Sequence, residues 1–211
     1  MKIHEIYQSI QGESSYAGQA CVFIRTTGCS LRCRWCDTAH AFYDGEELSL
    51  DTILKKVRDY GCDCVELTGG EPLIQEESFP LMTALLDEGY RVLLETSGSI
   101  PIHKVDPRAV IILDIKCPGS GMTDSMDWEN LNGLKETDEV KFVIADQADF
   151  IWAKNVLETQ QSLRNKIIHF SPVYGEMDPQ QLAASILKER LPVRLQIQIH
   201  KYIWDASTKG V

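Results

Sequence analysis

The feature that most constrains the fold is a regular alternation of short apolar strands with helices from residue 21 onward. Alternation of this kind predicts an α/β protein with a mainly parallel sheet and right-handed crossovers. Six or seven strands fit the sequence, fewer than the eight of a closed barrel, so we predict an incomplete, TIM-like β/α barrel. We expect residues 1–211 to form a single domain. The predicted strands, several with the loop that follows them, are 21–26, 64–67, 91–98, 109–119, 139–145, 166–175 and 192–200, and the predicted helices are 50–61, 79–89, 148–160 and 178–190.

The chemically unusual residues follow the strands instead of lying within them. They form the segments "GCSLRCRWCDT", "TGGEP", "ETSG", "DIKCPG" and "SPVYG". Ligands of parallel α/β proteins bind at the carboxyl ends of the strands. We therefore expect these five segments to converge on one rim of the sheet.

The first of these segments concentrates thiols in the pattern C-x3-C-x2-C, formed by Cys29, Cys33 and Cys36. With His40 added, the pattern is a plausible tetrahedral zinc set. Without His40, three thiolates are one fewer than a [4Fe–4S] cluster normally takes from protein, which would leave one iron open to a small molecule. A glycine-rich "TGGEP" turn suits close approach of a ligand to the main chain, and a structural zinc module would not need one.

Composition restricts the possible partners and compartment. The net charge of −10 argues against charge-driven nucleic-acid binding. Seven cysteines, three of them clustered, indicate metal binding in a reducing compartment more than disulfides. The N-terminus lacks the apolar core of a signal peptide, and no apolar run is long enough to span a bilayer. We expect a cytoplasmic protein that binds neither nucleic acid nor membranes.

The cysteine spacing and "TGGEP", each following a strand, resemble the radical S-adenosylmethionine (SAM) superfamily. The resemblance implies a [4Fe–4S] cluster held by Cys29, Cys33 and Cys36, with SAM chelating the fourth iron. The segments "YQSIQGES", "CRWCDT" and "IHKYIW" further resemble the 7-carboxy-7-deazaguanine synthase family. That resemblance implies a carbon–nitrogen lyase that contracts the ring of 6-carboxy-5,6,7,8-tetrahydropterin, with loss of ammonia, in queuosine or deazapurine biosynthesis. It also implies Mg²⁺, a flavodoxin- or ferredoxin-type reductant and a homodimer.

Site residues follow from the resemblance where the motifs match. Thr38 would give its hydroxyl to Mg²⁺, which prefers oxygen ligands. The residues that would contact SAM are Trp35, Asp37, Gly70, Ser97, Asp114, Ile115, Lys116, Ser171, Pro172, Val173 and Tyr174. Those that would contact the pterin are Ile10, Gln11, Gly12, Glu13, Arg25 and Thr68.

Several of these assignments have structural alternatives. Arg25 offers a planar fork that matches the substrate carboxylate, but an ion pair would also explain it. Glu13 could pair with the guanidine-like pterin edge or make a structural hydrogen bond, and Lys116 could bind a nearby acid. We expect His40 and His200 to be structural.

The C-terminal tail after residue 200 shows no period long enough for a further helix or strand. Its apolar residues Tyr202, Ile203 and Trp204 are expected to dock on the body, which would bring the tail back over the rim. The carboxylate of Val211 would then bind the N–H edge of the pterin through charge-assisted hydrogen bonds.

Two departures from the family pattern stand out, "QGES" in place of "QGEG" and "ETSG" in place of "ETNG". Two other functions fit part of the sequence. Activating enzymes for glycyl-radical enzymes share the cysteine spacing, "TGGEP" and "DIK", whereas a non-catalytic CCCH zinc module would only recruit partners.

Overall fold

The computed structural model describes residues 1–205 and 208–210 as a mixed α/β structure. Nine strands form a single sheet in this part of the chain. They are β1 (Lys2–Ile10), β2 (Ala20–Thr26), β3 (Glu46–Glu47), β4 (Cys64–Gly69), β5 (Arg91–Thr96), β6 (Val110–Ile115), β7 (Glu139–Ile144), β8 (Ile167–Pro172) and β9 (Arg194–Leu195).

The strands alternate with helices over most of the chain. These are α1 (Leu50–Tyr60), α2 (Ser78–Asp87), α3 (Asn130–Gly133), α4 (Gln147–Thr159), α5 (Pro179–Glu189) and α6 (His200–Ile203). Short 3₁₀ turns cover Ala39–Phe42, Pro72–Ile74, Pro118–Ser120, Thr123–Ser125 and Gln161–Leu163. Within the described residues, no helix has the length and apolar character needed to cross a bilayer.

The sheet is a barrel that does not close. Its order is β3-β1-β2-β4-β5-β6-β7-β8-β9, and the two end strands do not pair with each other. From β2 through β4 to β9 every neighbouring pair is parallel, whereas β1 runs antiparallel to β2 and β3 antiparallel to β1. The predicted incomplete, mainly parallel barrel is confirmed.

The edges of the sheet differ from the prediction. Strand β1 precedes the strand that we expected to be first, and "KIHEIYQSI" pairs with β2 along most of its length. At the other edge, the strand expected over 192–200 is reduced to Arg194–Leu195. Gln196 still donates its backbone N–H to Phe170 O, but its side chain accepts a hydrogen bond from Ser14 N at 2.8 Å. The chain therefore leaves the sheet there and packs on the loop after β1.

Helix boundaries follow the local sequence signals. Helix α1 starts after Ser49, whose hydroxyl oxygen accepts from Thr52 N, and it ends at Gly61 in the left-handed region. Asp178 caps α5 by accepting from Gln180 N at 2.9 Å, and Pro179 occupies the first helical position. These signals depend on residues adjacent in sequence, which is why they can be recognised without tertiary information.

The two faces of the sheet have different chemistry. Leu67, Leu94 and Leu113 are buried in the hydrophobic core. Because side chains alternate between the faces of a strand, the residues next to these leucines point into the barrel. Glu66 and Glu95 are two of them, and both line a cavity there. The apolar core thus fixes the strands, and the interior of the barrel is left for polar groups.

Candidate active site

One cavity of about 670 Å³ occupies the open end of the barrel. The five segments that follow strands all contribute to it, as expected, through residues such as Cys29, Gly70, Ser97, Lys116 and Tyr174. A volume in this range suits small-molecule ligands. The carboxyl ends of the parallel strands therefore meet at one site, which has two distinct regions, a loop rim and a charged floor.

The loop rim consists of residues 28–38, the turn at 69–71 and the loop that begins at Ser97. Its three clustered cysteines are free and half-buried, and all of them line the cavity. The loop that carries them is anchored at both ends, because Gly28 N donates to Ala41 O and Arg34 N donates to Ser120 O. Thr38 also lines the cavity, with its hydroxyl oxygen 3.7 Å from Cys36 Sγ.

The spacing of the three thiols distinguishes between metal centres. In the described part of the chain, the group of potential ligands whose atoms all lie within 4.8 Å of one another is His4, Glu5 and His40. At least one pair of the three cysteine sulfurs is therefore more than 4.8 Å apart, wider than the roughly 3.8 Å expected for two sulfurs on a tetrahedral zinc with bonds near 2.3 Å. A [4Fe–4S] cluster suits this wider spacing, since each thiolate binds a different iron. His40, the fourth ligand of the zinc alternative, belongs to the other group.

The "TGGEP" turn is packed directly against the cysteine loop. A Cβ at Gly70 would overlap the Gly28 carbonyl and lie 2.8 Å from Cys29 Cβ, so only glycine fits. Glu71 is fully buried and binds both neighbouring loops: its N–H donates to Gly28 O, and its carboxylate accepts from Thr96 Oγ1. This turn therefore offers bare main chain to the cavity beside the thiols.

Ser97 and the "DIK" segment lie on the next strands. Ser97 Oγ donates to Glu71 Oε2 at 2.6 Å, so its hydroxyl proton is already engaged. Lys116 Nζ lies 2.9 Å from Asp114 Oδ2, which is the acid pairing considered as an alternative for this lysine. Asp114 Oδ1 is buried with no hydrogen-bond partner in the structure described here, although the residue lines the cavity. Ile115 packs in the core and does not line the cavity.

The unpartnered Asp114 oxygen and the Gly70 cradle fit SAM. A buried acceptor without a donor costs free energy, and a hydrogen bond from a ribose hydroxyl would remove that cost. The close approach at Gly70 leaves main-chain groups exposed for the amino-acid end of the cofactor. The residues present are thus compatible with both a cluster and SAM. The other predicted cofactor contacts that line the cavity are Trp35, Asp37, Ser171, Pro172, Val173 and Tyr174.

The predicted pterin contacts lie on β1, β2, β4 and the loop after β1. Arg25 donates from Nε to Glu5 Oε1 at 2.8 Å and from Nη2 to Tyr7 Oη at 2.9 Å. A guanidinium has five N–H donors, so the others remain available for a ligand. It thus makes the ion pair considered as its alternative while still lining the cavity. All six of these predicted contacts line the cavity, namely Ile10, Gln11, Gly12, Glu13, Arg25 and Thr68.

Gly12 is in close contact with the C-terminal region. Its carbonyl accepts from Ile199 N at 3.1 Å, and a Cβ at this position would lie 2.9 Å from Cγ of His200 and closer still to its Nδ1. His200 itself lines the cavity. The start of α6 is therefore fixed against the loop after β1.

The tail only partly follows the sequence prediction. A short helix, α6, forms where no element was expected, and Tyr202 and Ile203 are exposed, so the prediction that they dock was wrong. Trp204 is half-buried, and Thr208, Lys209 and Gly210 line the cavity. Val211, the predicted carboxylate ligand, lies outside the described residues.

A charged floor, which we define as Glu13, Glu66, Glu95 and Lys141, lines the cavity. The sequence interpretation included Glu13 as a pterin contact but missed the other three residues. Lys141 Nζ contacts Glu13 Oε2 at 2.8 Å and Asp114 Oδ2 at 3.6 Å, and it forms a short ion pair with Glu95. Burial opposes its charge, but Glu13 and Glu95 raise the pKa of Lys141 well above its usual value. The buried ammonium group of Lys141 therefore forms ion pairs with three carboxylates, those of Glu13, Glu95 and Asp114.

Glu13 and Glu66 differ in how they are held. Burial alone would raise the pKa of Glu13, but the Lys141 ammonium outweighs it and lowers that pKa. Burial raises the pKa of Glu66 well above its usual value, and the negative charges of Glu95 and Glu13 raise it further. A charged residue inside an apolar strand, as in "CVELTG" and "EVKFVI", is the sequence signal that could have identified Glu66 and Lys141.

Comparisons with known proteins agree with this architecture. The profile of the "Radical SAM superfamily" matches residues 23–109. The crystal structure of QueE from Escherichia coli is similar over 93% of this chain and 93% of that one, with a TM-score of 0.78 and 23% identity. At that identity the likeness supports the fold, a radical SAM barrel.

Curated relatives match over the whole chain. A 7-carboxy-7-deazaguanine synthase of Chlorobaculum tepidum is 45% identical over 214 residues, covering 100% of this chain and 97% of its own. The Koribacter versatilis protein of the same name is also 45% identical, with 100% of both chains covered. These matches exclude the zinc module and the activating enzyme as readings of the motifs. The chain belongs to the 7-carboxy-7-deazaguanine synthase family of radical SAM enzymes.

Proposed function

We propose that this enzyme converts 6-carboxy-5,6,7,8-tetrahydropterin to 7-carboxy-7-deazaguanine with loss of ammonia, a step of queuosine or deazapurine biosynthesis. The observation that carries the proposal is the full-length similarity to synthases of that name. The cavity supports it, because predicted cofactor contacts and predicted pterin contacts line the same space.

The loop rim would hold the cofactors. Cys29, Cys33 and Cys36 would ligate the cluster, and the exposed main chain at Gly70 would bind the amino group of SAM. When bound, the cluster and SAM would supply the radical chemistry needed at C6 of the pterin. Asp114 Oδ1 would accept from a ribose hydroxyl, and Lys116 keeps the other Asp114 oxygen in place through its 2.9 Å contact. Ile115 would contribute through its main chain, since its side chain lies in the core.

Arg25 would orient the substrate. Its guanidinium is held by Glu5 and Tyr7, so the remaining N–H groups are fixed in direction. A planar fork of this kind matches a carboxylate, which the substrate carries at C6. Thr68 lies beside Arg25 on the neighbouring strand, and its hydroxyl would bind the same region of the ring. This arrangement would place C6 toward the loop rim.

Magnesium is a separate part of the proposal. Thr38 would supply one oxygen ligand, and substrate and water oxygens would complete the octahedron. We expect Thr38→Ala to lower turnover and weaken its dependence on Mg²⁺, while the absorption of the cluster stays unchanged. Titration of turnover with Mg²⁺ in both proteins checks this, and an unchanged response in the variant would remove Thr38 from the site.

The remaining expectations concern assembly and supply. We propose that a flavodoxin- or ferredoxin-type protein delivers the electron that the radical chemistry requires, and that the enzyme is a cytoplasmic homodimer. Copurification of the enzyme with each candidate reductant would test the first point. Light scattering of the reconstituted protein would test whether it is a dimer.

The test of the function is anaerobic reconstitution with iron and sulfide, followed by incubation with SAM, Mg²⁺, a reductant and the carboxytetrahydropterin. We expect about four irons per chain and a product with the mass of 7-carboxy-7-deazaguanine. Cys33→Ala should lose the visible absorption and the product. Reconstituted wild-type protein that carries the cluster and cleaves SAM, yet leaves the pterin unchanged, would contradict the proposal.

A further inference from the structure

Glu66 is the one member of the charged floor without a cationic partner among the described residues. It is 3% exposed, and the described hydrogen bond to its carboxylate comes from Gln11 Nε2, on Oε2. No described ion pair involves it, whereas Glu13 and Glu95 both contact Lys141. A buried carboxyl group in this position carries a desolvation cost that its surroundings do not offset.

Acceptor capacity separates Glu66 from Glu13. A carboxylate offers about four acceptor sites. Glu13 uses three of them, on Lys141 Nζ at 2.8 Å, Gln196 Nε2 at 3.0 Å and Gln198 Nε2 at 2.7 Å. Glu66 uses one, and its Oε1 accepts from no described residue although the side chain lines the cavity. The spare acceptor capacity of the floor is therefore concentrated on Glu66.

The position of Glu66 relates it to the proposed orientation of the substrate. Glu66 and Thr68 lie two residues apart on β4 and share a face, so they are separated by roughly 7 Å along the strand. Thr68 is beside Arg25, and Glu66 is beside Phe23, one step deeper in the barrel. A bicyclic ring whose carboxylate meets Arg25 would extend its far edge toward the depth of Glu66.

The far edge of the substrate has the matching chemistry. An aminopyrimidinone ring presents a ring N–H and an exocyclic amino group side by side, two parallel donors for one carboxylate. From these observations we infer that Glu66, in place of the Val211 carboxylate expected from the sequence, binds this N–H edge and makes the site specific for a 2-amino-4-oxopyrimidine ring. This inference rests on the proposed function and assigns to it a residue that the sequence motifs do not include.

Glu66→Gln is a sharp test because it keeps the size of the side chain and an oxygen for Gln11. It removes the charge and one acceptor from the ring edge. We expect the KM and the Kd for the carboxytetrahydropterin to rise about 10- to 100-fold, the loss of a charge-assisted hydrogen bond. Iron content, SAM binding and kcat should change little. Glu136→Gln, at an exposed carboxylate outside the cavity, is the matched control.

A substrate analogue without the 2-amino group tests the contact itself. Wild-type enzyme should bind this analogue more weakly than the substrate, and Glu66→Gln should discriminate between the two far less. If the loss of affinity from removing the 2-amino group and the loss from Glu66→Gln simply add, Glu66 does not contact that group and the assignment is overturned. A KM that is unchanged in Glu66→Gln would overturn it as well. In both cases the proposed function would stand. Wild-type enzyme that neither binds nor converts the carboxytetrahydropterin would overturn both.

Discussion

The loop rim and the charged floor belong to one cavity but are built in different ways. The rim is made of three short segments, each continuous in sequence, and contacts between them involve main chain, such as Glu71 N to Gly28 O at 2.8 Å. The floor is made of single side chains from separate strands, held by buried charge around Lys141. We conclude that substitutions in the floor should act first on folding, whereas substitutions in the rim should act first on cofactor chemistry.

The largest effect should come from Lys141→Met in the floor. This change leaves the half-buried Glu13 and Glu95 without the buried ammonium group of Lys141, and breaking a buried pair in this way typically costs about 3–5 kcal/mol. The free energy of unfolding of the cluster-free protein, measured by urea denaturation, should fall by that amount. Lys55→Met is the control, because Lys55 forms an exposed ion pair with Asp59 on α1. Equal stability of the two variants would mean that the floor is not held by charge.

The next effect should come from Gly70→Ala in the rim. The new Cβ would overlap the Gly28 carbonyl and crowd Cys29, so the cysteine loop must shift. A displacement of about 1 Å in a site can cost roughly 100-fold in rate. We expect SAM cleavage, measured as 5′-deoxyadenosine release with dithionite, to fall by that factor. In Gly133→Ala the Cβ meets Ile102 at an ordinary 3.5 Å, so that variant should cleave SAM normally. Normal cleavage by Gly70→Ala would show that the rim tolerates movement.

The same contrast explains what the sequence predicts and what it does not. The spacing of the cysteines and "TGGEP" identify the rim, because local main-chain geometry is encoded by neighbouring residues. No contiguous motif identifies Glu66, Glu95 and Lys141, because they are separated by tens of residues and come together only in the folded sheet, on strands β4 to β7. The barrel itself followed from strand–helix alternation, whereas β1 was missed because it is antiparallel and has no helix before it.

The smallest effect should be a pH-dependent gain in stability from Glu66→Gln. Burial and the nearby carboxylates raise the pKa of Glu66 in the folded protein, while an unfolded glutamate titrates near 4.3. Above that pH the folded state therefore binds more protons at this position than the unfolded state. The contribution of Glu66 to the free energy of unfolding must fall as pH rises through this interval. Glutamine does not titrate, so the free energy of unfolding of the variant does not fall with pH for this reason.

The stability difference between Glu66→Gln and wild type should consequently widen as the pH rises above about 4.3, in favour of the variant. Urea denaturation of the cluster-free proteins at several pH values measures it, and comparing the two proteins cancels the titration of the shared groups that do not interact with Glu66. Glu136→Gln supplies the baseline for a change of charge at the surface. A stability difference that stays constant across the pH range would mean that burial and the neighbouring carboxylates do not raise the pKa of Glu66. Saturating carboxytetrahydropterin should reverse the sign in reconstituted enzyme, since a ligand that binds the folded wild-type site more tightly than the variant's site stabilises the wild type more. A residue that lowers the stability of the empty protein and raises that of the complex is acting as part of a binding site, which is the role that the geometry of the floor gives to Glu66.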